Sequence, residues 1–79
     1  MASAATARKL DVLFSSHALI QLRHETGFSQ EELARRAGLA TVTIAKLEER
    51  RIADPKSSTV GKLAGALGCS IGRLMETGR

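Results

Sequence analysis

Between Gly27 and Gly38 the chain runs Phe28-Ser29-Gln30-Glu31-Glu32-Leu33-Ala34-Arg35-Arg36-Ala37, and this string leaves little choice of local structure. Ser29 is spaced to accept from the backbone N–H of Glu32 while the Glu32 side chain reaches back to the Ser29 N–H, the reciprocal bonding of a capping box. Phe28 and Leu33 sit where a hydrophobic staple would fix the angle at which the chain joins the helix. Glu31 and Glu32 suit the positive end of the helix dipole. Gly38 tolerates the left-handed backbone that ends a helix, so the spacing predicts a helix over 30–37.

Helical spacing continues on both sides of this segment, sustained period-2 alternation is absent, and the chain reads as all-α. Leu10, Leu13, Phe14, Ala18, Leu19 and Leu22 predict a first helix that ends before Gly27. After Gly38 a third helix runs from Thr41 to about Glu49, with Ile44 and Leu47 three apart. Two helices of eight or nine residues joined by a short Gly-containing turn make a helix-turn-helix. Ala34 is small enough to let the two helices approach, and Leu33, Ala37, Leu39, Ile44 and Leu47 form the expected wedge of core. Residues 50–56 lose periodicity and collect charge, and Asp54-Pro55 marks a turn. Ser57 or Ser58 is expected to cap a fourth helix with Val60, Leu63, Ala64 and Leu67, closed by Gly68. Ser70 would cap a short fifth turn bearing Ile71, Leu74 and Met75. The expectation is one domain over 1–79, with its core at about 16–76 and residues 1–15 as a partly helical extension.

Composition narrows the function. At 79 residues, a domain buries only about 60% of the surface its unfolded chain exposes, which leaves little volume for a deep substrate cavity. No nucleophile–base–orienter arrangement is recognisable from spacing, so an enzyme is not expected. One Cys cannot form an internal disulfide, and with only two His it cannot complete a four-ligand zinc site. No metal and no cofactor are expected. No apolar run approaches the roughly 18 residues of a membrane span. The first ten residues, Ala-rich with Arg8 and Lys9, are too few to argue a transit peptide, and the expected location is the cytoplasm of a bacterial or phage-type host. Twelve basic against eight acidic residues give a formal charge of +4, which favours a polyanionic partner.

With these motifs in place, the chain resembles the Cro/C1-type (XRE) helix-turn-helix family, which includes the lambdoid phage repressors. The likeness is carried by Leu22-Arg23, by Thr26-Gly27-Phe28-Ser29-Gln30-Glu31-Glu32-Leu33-Ala34, and by Arg36-Ala37-Gly38-Leu39. Thr43-Ile44, Lys46-Leu47-Glu48, Pro55, Leu63-Ala64 and Ala66-Leu67-Gly68 continue it over about residues 19–75. The resemblance implies a compact five-helix, lambda-repressor-like domain that binds double-stranded DNA as a homodimer on an inverted repeat. It places the recognition helix at about 41–49 in the major groove. By the same resemblance Thr41, Val42, Lys46 and Gln30 are candidate base readers, and Thr43, Arg36, Arg50, Arg51 and Lys56 candidate phosphate contacts. Arg23 and Glu48 match a partly buried salt bridge that ties the first helix to the end of the third. Helix geometry agrees for part of this set, because 41, 42 and 46 project opposite Ile44 and Leu47.

Several positions depart from the pattern. Ala40 stands where the family uses Ser or Thr as a cap, which costs about 1 kcal/mol unless Thr41 takes over the role. Gly61 and Gly65 share a face of the fourth helix and either admit another helix or leave this one locally weak. Gly72 weakens the last segment, through which the family often dimerises. Cys69 replaces the usual Val and reads as packing, while His17 and His24 read as helix surface. A protein–protein adaptor that keeps the fold without reading DNA is the competing function, and a toxin or another regulator is a possible partner.

Overall fold

The computed structural model describes residues 13–76. Four α-helices follow a two-residue strand: β1 (Leu13–Phe14), α1 (Ser16–Thr26), α2 (Gln30–Ala37), α3 (Thr41–Glu48) and α4 (Ser57–Leu67). A 3-10 turn (Ile71–Leu74) and β2 (Met75–Glu76) complete the described chain. α2 and α3 form the helix-turn-helix, and α1, α4 and the 3-10 turn pack around them. Leu19, Leu33, Ile44, Leu47, Leu63 and Leu74 are fully enclosed and come from all five helical segments. Ala34 and Ala37 are buried as well, and Leu39 packs partly buried against the same cluster.

Two sequence expectations give way at the ends. Leu13 and Phe14 do not extend the first helix but pair antiparallel with Glu76 and Met75. The cause is Ser15, whose extended backbone and Oγ, accepting from the Ala18 N–H, start α1 one residue later. The Ser15 N–H also donates to the Leu74 carbonyl at 2.8 Å, so the C-terminal segment holds the chain in extended form here. Leu10 lies outside the described residues. The short fifth turn is a 3-10 turn, so the fifth helix that the resemblance implies is not an α-helix here, and Ser70 stands at its start without a side-chain capping bond. The described residues therefore hold four α-helices and not five.

Capping also differs in detail. Ser29 does accept from the Glu32 N–H at 3.0 Å, but the Glu32 carboxylate turns away to Arg35 and Arg36 instead of returning to Ser29. Two guanidinium groups outcompete a single backbone N–H for one exposed carboxylate. Lys56, not Ser57 or Ser58, occupies the cap position of α4 and makes no side-chain bond there. A Cβ added at Gly61 would meet only the tip of Ile71 at 4.0 Å, and one at Gly65 would meet nothing. No neighbouring helix among the described residues needs either glycine.

Each of the four described α-helices ends in the same way, with paired backbone bonds around a left-handed residue. Gly27, Gly38 and Gly68 take that place after α1, α2 and α4, with φ of 81°, 70° and 70°. After α3 the place belongs to Arg50, at φ 64°. Arg51 N–H donates to the Lys46 carbonyl at 2.8 Å and Arg50 N–H to the Leu47 carbonyl at 3.3 Å, the bond pair of a Schellman motif.

Candidate nucleic-acid interface

α3 is held from beneath and open above. Ile44 and Leu47 have no exposed surface, and they fix the rotation of the helix about its own axis. Thr41, Val42 and Lys46 consequently stand on its outer side and are all exposed. Val42, at 57%, is the most exposed large apolar residue among the described residues. Ala40 occupies the cap position with no side-chain bond, and Thr41 is the first helical residue. Thr41 has therefore not taken over the cap, and its hydroxyl stays outside the helix's own bonding.

The inner end of α3 is fixed by ion pairing. Arg23 Nε lies 2.5 Å from Glu48 Oε2 and Arg23 Nη2 donates to Oε1 at 3.0 Å, a bidentate pair whose side chains are 13% and 7% exposed. Arg23 Nη1 reaches on to the Phe28 carbonyl at 3.0 Å, so one guanidinium links α1, the α1–α2 turn and α3. Burial pushes the Glu48 carboxyl up, but hydrogen bonds from Arg23 and Gln30 and the Arg23 charge outweigh it and hold the group below its ordinary 4.5. Ser16 Oγ adds a second tie, donating to the Leu47 carbonyl at 2.7 Å. That bond had no signal in the sequence, because residues 16 and 47 meet only through the packing of α1 on α3.

The remaining candidates divide by position. Gln30 opens α2, and its Nε2 donates to Glu48 Oε1 at 2.9 Å, which joins it to the ion pair. Arg36 is about half exposed, bonded to Glu32 and set over the Phe28 ring at 4.6 Å from the centroid. Thr43 is half-buried on α3. Arg50 and Lys56 are exposed in the α3–α4 connection, and Arg51 is exposed while pairing loosely with Glu49 at 3.3 Å. The structure thus gathers Thr41, Val42 and Lys46 on one helix side, with the basic residues 50, 51 and 56 on the segment that follows. Arg36 stands apart from them on α2.

Similarity to known proteins follows the same segment. A helix-turn-helix family model matches residues 19–74. SinR of Bacillus subtilis, a master regulator for biofilm formation solved in complex with DNA, is 29% identical. The match covers 75% of this chain and 94% of that one, with a TM-score of 0.72. SinR has also been solved with SinI. The restriction-modification controller C.AhdI of Aeromonas hydrophila is 32% identical over 75% of this chain and 88% of its own, with a TM-score of 0.69. A similar fold occurs in HppE, solved with Co(II) and substrate, at 26% identity and a TM-score of 0.70. That match covers 77% of this chain but only 34% of HppE, so it concerns one part of that protein. No curated protein sequence matches the chain.

Proposed function

The chain belongs to the Cro/C1-type helix-turn-helix family and is a DNA-binding transcription regulator; from that premise we propose that it binds as a dimer to an inverted-repeat operator, with α3 in the major groove. The observation that carries this reading is the outward side of α3, where Thr41, Val42 and Lys46 are open while Ile44 and Leu47 are closed. A recognition helix meets base edges with its N-terminal residues. Lys46 donates to guanine O6 or N7, Val42 touches a thymine methyl, and Thr41 bonds a base or a phosphate. Gln30 completes the base-reading set. Thr43, Arg36, Arg50, Arg51 and Lys56 bind backbone phosphates, which position the protein without reading sequence.

Dimerisation follows from the arithmetic of recognition. Each good base contact contributes about 1–3 kcal/mol of discrimination, so one helix reads too little sequence alone. The surface suited to a second copy is the half-exposed Ile71, beside a groove between Pro55, Val60 and Met75. A protein partner such as a toxin or another regulator remains part of the proposal, in line with the SinR–SinI complex.

Binding measured against salt, followed by random-site selection, tests the whole reading. Affinity for duplex DNA should fall about 10³- to 10⁵-fold between roughly 50 and 200 mM salt if 6–10 phosphates are neutralised. Selected sites should be inverted repeats with half-site centres about 10 bp apart. Lys46→Ala should relax the preference at one position per half-site, whereas Arg51→Ala should weaken every site alike. A flat salt profile would favour the protein–protein adaptor instead.

A further inference from the structure

The Gln30 amide is not free to choose which end it shows. Its Nε2 donates to Glu48 Oε1 at 2.9 Å, and Arg23 holds both oxygens of the same carboxylate. An ionised carboxylate only accepts hydrogen bonds, so the amide oxygen of Gln30 cannot face it. Rotation by half a turn, which would exchange oxygen and nitrogen, is closed by repulsion between two acceptors. One N–H is consumed inward, and the amide oxygen with the second N–H is left for whatever lies beyond α2.

On the reading that α3 occupies the major groove, we propose that Glu48 is a positioning residue for Gln30. By taking the amide nitrogen, it directs the Gln30 carbonyl oxygen outward, where it accepts from an exocyclic amino group on a base edge. In the major groove that group is adenine N6 or cytosine N4. Adenine is the better match, because its N7 also accepts the remaining N–H, whereas cytosine has no acceptor on that edge. A phosphate oxygen is an acceptor only, and could use only the one remaining N–H. Arg23 has a matching part: its two hydrogen bonds to the carboxylate, with its charge, favour the ionised form against burial. It also offsets the negative charge that Glu48 would otherwise present near DNA.

Random-site selection on the full chain tests the assignment, with thermal melting of each variant alongside. Wild type should prefer an amino-bearing base, adenine foremost, at one position of each half-site by about 5- to 150-fold. Gln30→Ala should flatten that column and leave the others. Glu48→Gln should flatten the same column, since a neutral amide partner can accept or donate and no longer fixes Gln30. Because Glu48→Gln strands the Arg23 charge, the double variant Arg23→Gln/Glu48→Gln provides a neutral pair with the same expected loss. A Gln30→Ala protein that keeps the wild-type motif while binding all sites more weakly would make Gln30 a phosphate donor and overturn the proposal. So would an intact column in a folded Glu48 variant. A wild-type protein that selects no motif fails differently, because it removes the groove-reading of α3 together with this inference.

Discussion

α2 and α3 are the same length, eight residues each, and they are built in opposite ways. α2 carries its own stabilising devices. Ser29 caps its start, Glu31 and Glu32 sit in its first turn, Arg35 and Arg36 in its last, and Gly38 releases the chain. α3 has almost none of these. Its cap position is Ala40, its first turn holds no acidic residue, and the left-handed residue after it is Arg50. What α3 has instead is attachment: Ile44 and Leu47 in the core, Glu48 on Arg23, and the Leu47 carbonyl on Ser16. α3, whose outer side is open, is thus held by tertiary contacts below, and the local code lies in its neighbour. Short helices are marginal in isolation, so removing an attachment should cost α3 more than removing a cap costs α2.

The largest expected effect is therefore at Glu48. Glu48→Ala leaves the largely covered Arg23 guanidinium without its partner and should destabilise the protein by up to about 3 kcal/mol in a denaturant titration. A loss no greater than that of a surface substitution would show that α3 does not depend on this tie. The pair also predicts a pH dependence. The folded-state pKa of Glu48 is depressed, so its contribution is present above the unfolded value near 4.5 and is lost as pH falls through the folded one. Melting temperature should drop on acidification below about pH 4.5. Replacing Glu48 with Gln should shrink that drop.

Capping effects come next, and they should have opposite signs on the two helices. Ser29→Ala removes a bond that exists and should cost about 1 kcal/mol. Ala40→Ser adds one where none exists and should gain a similar amount. Equal and opposite shifts in the denaturation midpoint would support the division of labour. A neutral Ser29→Ala would show that Phe28 and Leu33 hold the start of α2 without it.

The same contrast explains what could be read from sequence. α2 was legible to the residue, because its signals are local: Ser29 before, Gly38 after, and apolar residues at helical spacing between them. The outward side of α3 was legible for a related reason, since burying Ile44 and Leu47 settles where 41, 42 and 46 must point. The segments that escaped are those set by distant partners. Leu13 and Phe14 look like more of α1 until Met75 and Glu76 pair with them, and Ser15 becomes a cap only in that setting. Gln30 meets Glu48 because two helices cross, and no spacing of 18 residues announces such a contact. Spacing from Ser29 suggests a capping box for Glu32, but the two arginines that follow offer its carboxylate stronger bonds.

The smallest expected effect separates stability from binding at a single residue. All four described α-helices end in the same bonded turn, and a glycine would fit each of them. A side chain in the left-handed region costs about 1–2 kcal/mol, of which glycine's greater freedom in the unfolded chain returns about half. Arg50→Gly should therefore raise stability by about 0.5–1 kcal/mol, since the backbone bonds to Lys46 and Leu47 need no side chain. If the Arg50 side chain binds phosphate, the same variant should bind all DNA sites more weakly and lower the slope of log affinity against log salt by about 1. Opposite signs in the two measurements would mean that strain after α3 is maintained for the sake of a charge at the DNA surface. A more stable protein with unchanged binding would make Arg50 an ordinary surface residue, leaving Arg51 and Lys56 as the phosphate contacts of that segment.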